Sequence, residues 1–260
     1  MGLFSYDFYG NGHDAPPKSG PARLWALFIN NIGGLLGGGF LATLSSVIYA
    51  VGMILGIDSH GLIIALIAGP LGGMLALPQL CGLTDTVLRA LRNESGPWWQ
   101  TYRRAWKRNV KGCLLPGALG GLLFGFQLFI FAHFERLDLD LFLLITMALG
   151  VAVSTAIATW LLPQLALLEL PLGRMALNAI LLCVRYPLRT LGVTLLQLAY
   201  WLFIVIGFPH TLVLFFLLNF WLSALTVTTI LYDPLDEVFH IEDELVTRRA
   251  QENCTGNEPS

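Results

Sequence analysis

Charge is scarce in this chain. Only 12% of its 260 residues are Asp, Glu, Lys or Arg, about half the share of an ordinary soluble domain, whereas 55% are hydrophobic and mean hydropathy is +0.68. So few polar groups cannot cover a water-exposed globule, which leaves lipid as the solvent. The four cysteines, Cys81, Cys113, Cys183 and Cys254, include no C-x-x-C pair and no spacing of a disulfide framework or zinc site, and read as reduced packing residues. Motifs of catalysis are missing as well: there is no H-E-x-x-H, no P-loop and no G-x-S-x-G, and the polar tail after Tyr232 is too short for a catalytic domain. A non-enzyme without cofactor is the expectation. His60, His133 and His210 come from different loops and are not expected to meet with a fourth ligand, so no metal is assigned. Residues 1–20 lack a basic start followed by an apolar run, unlike a cleaved signal peptide.

What is present is a series of apolar runs. About 20 apolar residues span about 30 Å of hydrocarbon, and six runs qualify, near 33–57, 61–84, 112–133, 141–168, 189–208 and 210–231. The predicted fold class is therefore all-α: a polytopic membrane protein with a polar segment 1–23, a helical transmembrane domain 24–231 and an acidic tail 232–260. The first run begins as early as Leu24, too early for one upright helix, and "GGLLGGG" at 33–39 is the expected joint. Six crossings place fourteen of the 15 Lys and Arg residues on one side and only Arg136 on the other. Positive residues are retained in the cytoplasm, so both termini are predicted to be cytoplasmic. The opposite loops carry Asp58, Glu135, Asp138 and Asp140.

The basic stretch "TYRRAWKRNVKG" (101–112) is the densest polar feature between spans. At about 100° per residue, Arg103, Arg104, Lys107, Arg108 and Lys111 occupy one helical sector, with Trp99, Tyr102 and Trp106 on its neighbour. That division predicts an amphipathic helix over 98–111 lying in the membrane plane, rings at headgroup depth and cations toward phosphate. A nucleic-acid groove needs rings and cations on one wet face, so nucleic acid is not an expected partner. Docking of a protein partner by the same charges stays open. A second segment behaves alike: Arg174, Asn178, Arg185 and Arg189 fall within about 60° on a helical wheel.

These two segments also resemble a known family. "LRNESGPWWQTYRRAWKRNVKG" is similar to the Arg-Gly-Glu-x-Gly and Phe-Lys-x-Asn-Phe-Lys pattern of the YesL-like bacterial membrane proteins, through Arg92, Glu94, Gly96, Trp106, Lys107, Asn109 and Lys111. "PQLALLE" (163–169), "NAILLCVRYPLRTL" (178–191), the opening "MGLFSYD" and Gly69-Pro70 resemble further family elements in the expected order. Leu167 and Leu168 depart from a frequent Arg-Phe, and Pro187 stands one place early. The resemblance implies a bacterial cytoplasmic membrane protein accessory to carbohydrate or oligosaccharide uptake or utilisation, with ABC-type sugar transporter subunits as partners. Sugar involvement comes from the resemblance alone.

Substrate-binding candidates are the polar groups within the apolar runs: Gln127, Gln164, Glu169 and Asn219. Interhelical hydrogen bonding explains the amides equally. Asp85 stands one turn before Arg89, a spacing that favours a structural ion pair. Lipid or partner contact is assigned to Trp99, Tyr102, Arg103, Arg104, Trp106, Lys107, Arg108, Lys111, Arg174, Arg185 and Arg189. Glycines four apart, among them Gly69 and Gly73, Gly117 and Gly121, permit close helix contact. Two alternatives to the accessory role remain, a stand-alone small-solute carrier or channel and a structural or lipid-organising protein; self-association is compatible with each.

Overall fold

The computed structural model describes residues 21–92, 94, 97–137, 140–168, 170–207, 210–243 and 247. Among these described residues are seven α-helices: α1 (Pro21–Asp58), α2 (Leu62–Leu91), α3 (Trp98–Ala132), α4 (Leu141–Leu167), α5 (Leu172–Arg185), α6 (Pro187–Ile206) and α7 (Leu212–Phe239). All but α5 are long and apolar enough to cross a membrane, the architecture of a multi-pass membrane protein. Their apolar stretches keep most side chains on the outside; α4 shows Leu141, Phe142, Ile145, Leu149 and Val153. In water such surfaces would aggregate, whereas hydrocarbon solvates them.

α2 lies at the centre, touching α1, α3, α4 and α7. Its contact with α3 follows from glycine. A Cβ on Gly69 would stand 2.6 Å from the Gly121 carbonyl oxygen, and one on Gly117 2.5 Å from that of Gly73, so the two backbones meet with no side chain between. Without a hydrophobic drive between helices in lipid, such close contact is a main source of association. One turn beyond Gly117 and two beyond Gly73, the thiols of Cys113 and Cys81 come within 3.1 Å, both free and fully buried. Their sequence spacing gave no hint of this pairing.

The two ends of the bundle differ. At the basic end, helix α5 and the end of α7 gather: Arg185 Nη2 reaches Glu237 Oε1 at 2.8 Å, and the Tyr232 hydroxyl of α7 donates to Glu242 Oε1 at 2.9 Å. At the acidic end the α1–α2 turn meets the end of α3 through His60 and His133. Asp140 caps α4 there, its Oδ1 accepting from Leu143 N at 2.8 Å. Most of the buried core sits toward the basic end, around Leu83, Val87, Leu88, Trp160, Leu167, Leu231 and Leu235.

Several expectations need correction. Residues 98–111 are not a separate helix across the membrane plane but the first turns of α3. The reason is a buried stripe, Tyr102, Ala105, Asn109, Cys113, Pro116 and Gly117, which keeps helical period through the expected boundary and packs against α2 and its neighbours. Arg189 does not share a helix with Arg174: Tyr186 (φ −121°, ψ 60°) ends α5, and Pro187 starts α6. α5 buries Met175, Ala179 and Leu182 and exposes the apolar Leu177, Ile180, Leu181 and Val184 along with Arg174 and Arg185. The joint in α1 falls at Asn31 (φ −125°, ψ 19°), not within the glycine run. Those glycines serve packing instead, since a Cβ on Gly37 would lie 2.5 Å from the Trp98 indole. α7 continues past 231 to Phe239 and buries Tyr232 and Leu235, so the tail begins as packed helix.

Candidate functional site

The charges that the bundle does bury are gathered at its basic end. Asp85 and Arg89 stand one turn apart on α2, and Arg89 Nε donates to Asp85 Oδ2 at 2.8 Å. Arg108 of α3 reaches the other Asp85 oxygen at 3.4 Å, and its same nitrogen donates to the Ala166 carbonyl of α4 at 3.2 Å. One guanidinium thus joins three helices. Past the end of α2 the chain returns, and Glu94 Oε2 accepts from Arg89 Nη1 at 3.3 Å while Oε1 lies 3.1 Å from Arg92 Nε. The Asp85 side chain is fully buried and those of Arg92 and Glu94 nearly so. Desolvating such charges costs several kcal/mol each, so they persist underground only as one another's partners. The Asp85–Arg89 spacing was legible as an ion pair; Glu94 and Arg108 joined it only through the turn and the α2–α3 packing.

Beside this network is a cleft of about 340 Å³ between α3, the end of α4 and the start of α5. Arg108, Asn109, Lys111 and Gly112 supply its polar wall, and Leu115, Leu165, Leu168 and Leu172 its apolar one. Asn109 is only 8% exposed; its Oδ1 accepts from Arg108 Nε at 3.3 Å, and its Nδ2 has no hydrogen-bond partner. A buried donor left in that state costs about 1–3 kcal/mol.

The residues assigned to lipid or partner contact divide in two. Arg103, Arg104, Lys107, Lys111, Arg174, Arg185 and Arg189 are exposed, as is Trp99, and Trp106 is half-buried. Tyr102 is a correction: it is 2% exposed, its ring seated against Gly38 and Gly82 and its hydroxyl donating to Gln79 Oε1 at 2.6 Å. Arg108 is a second, turned inward to Asp85. A wheel drawn on one helix assigned both outward because it held no information on where α2 lies.

The amides expected to bind substrate bond to their own or an adjacent helix. Gln164 is buried and donates to the Trp160 carbonyl of its own helix at 3.1 Å. Gln127 reaches Ser154 on α4 at 3.5 Å. Asn219 occupies a break in α7 (φ 23°, ψ −144°), where its Oδ1 accepts from Trp221 N at 3.0 Å and its backbone carbonyl from the Tyr200 hydroxyl at 2.8 Å. A left-handed φ is strained for a side-chain-bearing residue, and the local bonds of Asn offset it. Glu169, the fourth candidate, lies outside the described residues.

At the acidic end the sequence reading missed a contact. His60 Nδ1 lies 2.9 Å from His133 Nε2, beside a cavity of about 620 Å³ that Asp58, Glu135 and Arg136 also line. His133 Nδ1 is 2.9 Å from the Phe129 carbonyl, which can only accept, so in the neutral pair His133 Nε2 accepts from His60. The signal was topological: in three consecutive antiparallel spans, the first turn and the third helix end on one side. No three His, Cys, Asp or Glu side chains converge among the described residues.

Comparison with protein-family models, curated proteins and solved structures gives no match to this chain. The YesL-like resemblance therefore rests on the residues quoted for it.

Proposed function

We propose that this chain is a non-enzymatic scaffold of the bacterial cytoplasmic membrane, basic end inward, that assists carbohydrate or oligosaccharide uptake or utilisation. Its exposed cations contact anionic headgroups and a transporter subunit of the ABC type. The observation that carries the scaffold reading is the division of charge at the basic end. Asp85, Arg89, Arg92 and Glu94 are buried against one another and clamp α2 to the turn before α3, while Arg103, Lys107, Arg174 and Arg189 stay exposed on the same end. A clamp of this kind fixes a surface rather than moving substrate. The sugar connection is supported only by the resemblance of 92–111 and 163–191 to the YesL-like pattern.

The rival carrier reading needs a shared polar path. Gln164 and Asn219 instead bond the backbone of their own helices, which favours the accessory role. Two measurements test the proposal together. Purification from native membranes is expected to bring down a sugar-transport component, and the protein alone in liposomes is expected to leave solute flux at background. Unassisted sugar flux would replace the scaffold with a carrier. Absence of any transport component, with growth on complex sugars unaffected by deletion, would remove the sugar role.

A further inference from the structure

We infer that His60 and His133 form a proton-operated latch at the acidic end: it stays closed while the two rings hold no added proton or one between them, and opens when both are charged. The latch goes beyond the scaffold reading and does not rest on it.

Geometry fixes which nitrogen donates. His133 Nδ1 lies 2.9 Å from the Phe129 carbonyl, which can only accept, so Nδ1 carries a hydrogen and Nε2 of the neutral ring carries a lone pair. His60 Nδ1 stands 2.9 Å from that lone pair and donates to it. The ring centroids are 5.1 Å apart against 2.9 Å for the two nitrogens, so both nitrogens lie between the ring centres and the rings meet end on. Both partners are anchored. His133 is buried and stacks on Phe129 with centroids 4.2 Å apart. His60 has φ 53°, a left-handed backbone uncommon for a residue with a side chain, in a turn that the Gly61 amide closes onto the Gly56 carbonyl at 2.9 Å.

Two protons therefore act differently. The first, on Nε2 of the exposed His60, leaves the shared bond in place and makes its donor cationic, which strengthens it. The second has only His133 Nε2 to occupy and turns the acceptor into a donor, so that two N–H groups and two like charges face each other and the bond is lost. Asp58 from the end of α1 and Glu135 and Arg136 from the turn after α3 line the adjoining cavity, Asp140 is engaged as the cap of α4, α2 brings no charged side chain before Asp85, and Asp138 lies outside the described residues. Neighbouring charges move the pH at which the second proton arrives; they do not change which atoms carry hydrogen between the rings. Above that pH the bond contributes to the fold. As pH falls through it, the unfolded chain, free to charge both histidines, binds more protons than the folded one, and the contribution is lost. The bond ties the α1–α2 turn to the end of α3, so its loss frees that turn.

Hydrogen–deuterium exchange of the full chain in detergent, read on peptides covering 53–66 and 129–137 and corrected for the intrinsic effect of pH, tests the latch. Two variants keep a bond but cannot hold two facing donors. In His133→Gln an amide oxygen accepts from His60 whether His60 is neutral or charged; in His60→Asn the amide suits the left-handed turn and either donates to neutral His133 or accepts from the charged ring. The parent is expected to keep its protection from about pH 8 to about pH 6 and to lose at least tenfold of it by about pH 4.5, below the ordinary histidine range. Both variants are expected to hold theirs throughout. A loss in the variants equal to that in the parent would assign the change to Asp58 or Glu135 and overturn the latch, as would a parent with unchanged protection. NMR of the parent with 15N-labelled histidine needs no variant: a coupling across the bond between His60 Nδ1 and His133 Nε2 is expected at the two higher pH values and not at the lowest. Its absence at the highest, or its persistence at the lowest, would overturn the latch too.

Discussion

A single methyl group at Gly117 pushes α2 and α3 apart. Built on the observed backbone, the Cβ of alanine lies 2.5 Å from the Gly73 carbonyl oxygen, against an ordinary contact of 3.4 Å or more. The acceptor is backbone within a helix and cannot rotate away, so the helices must separate by about 1 Å. A gap of that size forfeits a quarter to a half of each dispersion contact across it, and overpacked sites typically lose about 1–3 kcal/mol. Gly120→Ala is the matched control, one turn along on the same helix with nothing within 4 Å of its Cβ. The Cys81–Cys113 pair, with sulfurs 3.1 Å apart on the same interface, reports the separation directly. Molecular iodine, which dissolves in the apolar phase, oxidises two thiols to a disulfide, releasing two protons and two iodides. Gly117→Ala is expected to lower both the thermal midpoint in detergent and the rate of disulfide formation, with Gly120→Ala close to the parent in both. Equal behaviour of the two variants would show that the glycine crossing does not hold this interface.

Asp85→Asn leaves Arg89 and Arg108 without their shared carboxylate, and is expected to destabilise the fold by about 3–5 kcal/mol, a shift of the midpoint on the order of 10 °C. Glu237→Gln removes the half-exposed partner of Arg185 and should leave the midpoint in place; a large shift there and none at Asp85 would invert the assignment of which pairs matter. Gly37→Ala drives a Cβ into the Trp98 indole, whereas Trp98→Ala clears that space, so the double variant should be less destabilised than the sum of the two by about 1 kcal/mol; additive effects would deny the contact. Burial pushes the Cys183 thiol above its ordinary value of 9.0, so the fold resists forming the thiolate. Alkylation of Cys183 read by peptide mass should therefore be slower in the folded protein than after unfolding at pH 8 and should climb as pH rises past 9, where the thiolate also begins to weigh against folding. Equal rates in both states would refute the burial.

Composition and hydropathy suffice for the number of spanning helices, because the hydrocarbon thickness imposes a length that each apolar run either reaches or does not. Within one helix, local chemistry was legible at one pair: the Asp85–Arg89 spacing became a 2.8 Å ion pair. Glycines four apart announced close packing, though not whose backbone would fill each gap. Gly117 met Gly73, whereas Gly37 met the Trp98 side chain.

What the sequence could not contain is the direction in which each helix faces its neighbours. Tyr102 and Arg108 share a stretch with exposed cations, and their inward turn was decided by the slot between Gly38 and Gly82 and by the carboxylate of Asp85. The His60–His133 and Cys81–Cys113 contacts likewise join residues 73 and 32 positions apart. A bilayer selects helices by length and apolarity, properties that add along the chain. Contacts among helices depend on rotation about each axis, and that is fixed only when all the packed surfaces are satisfied together.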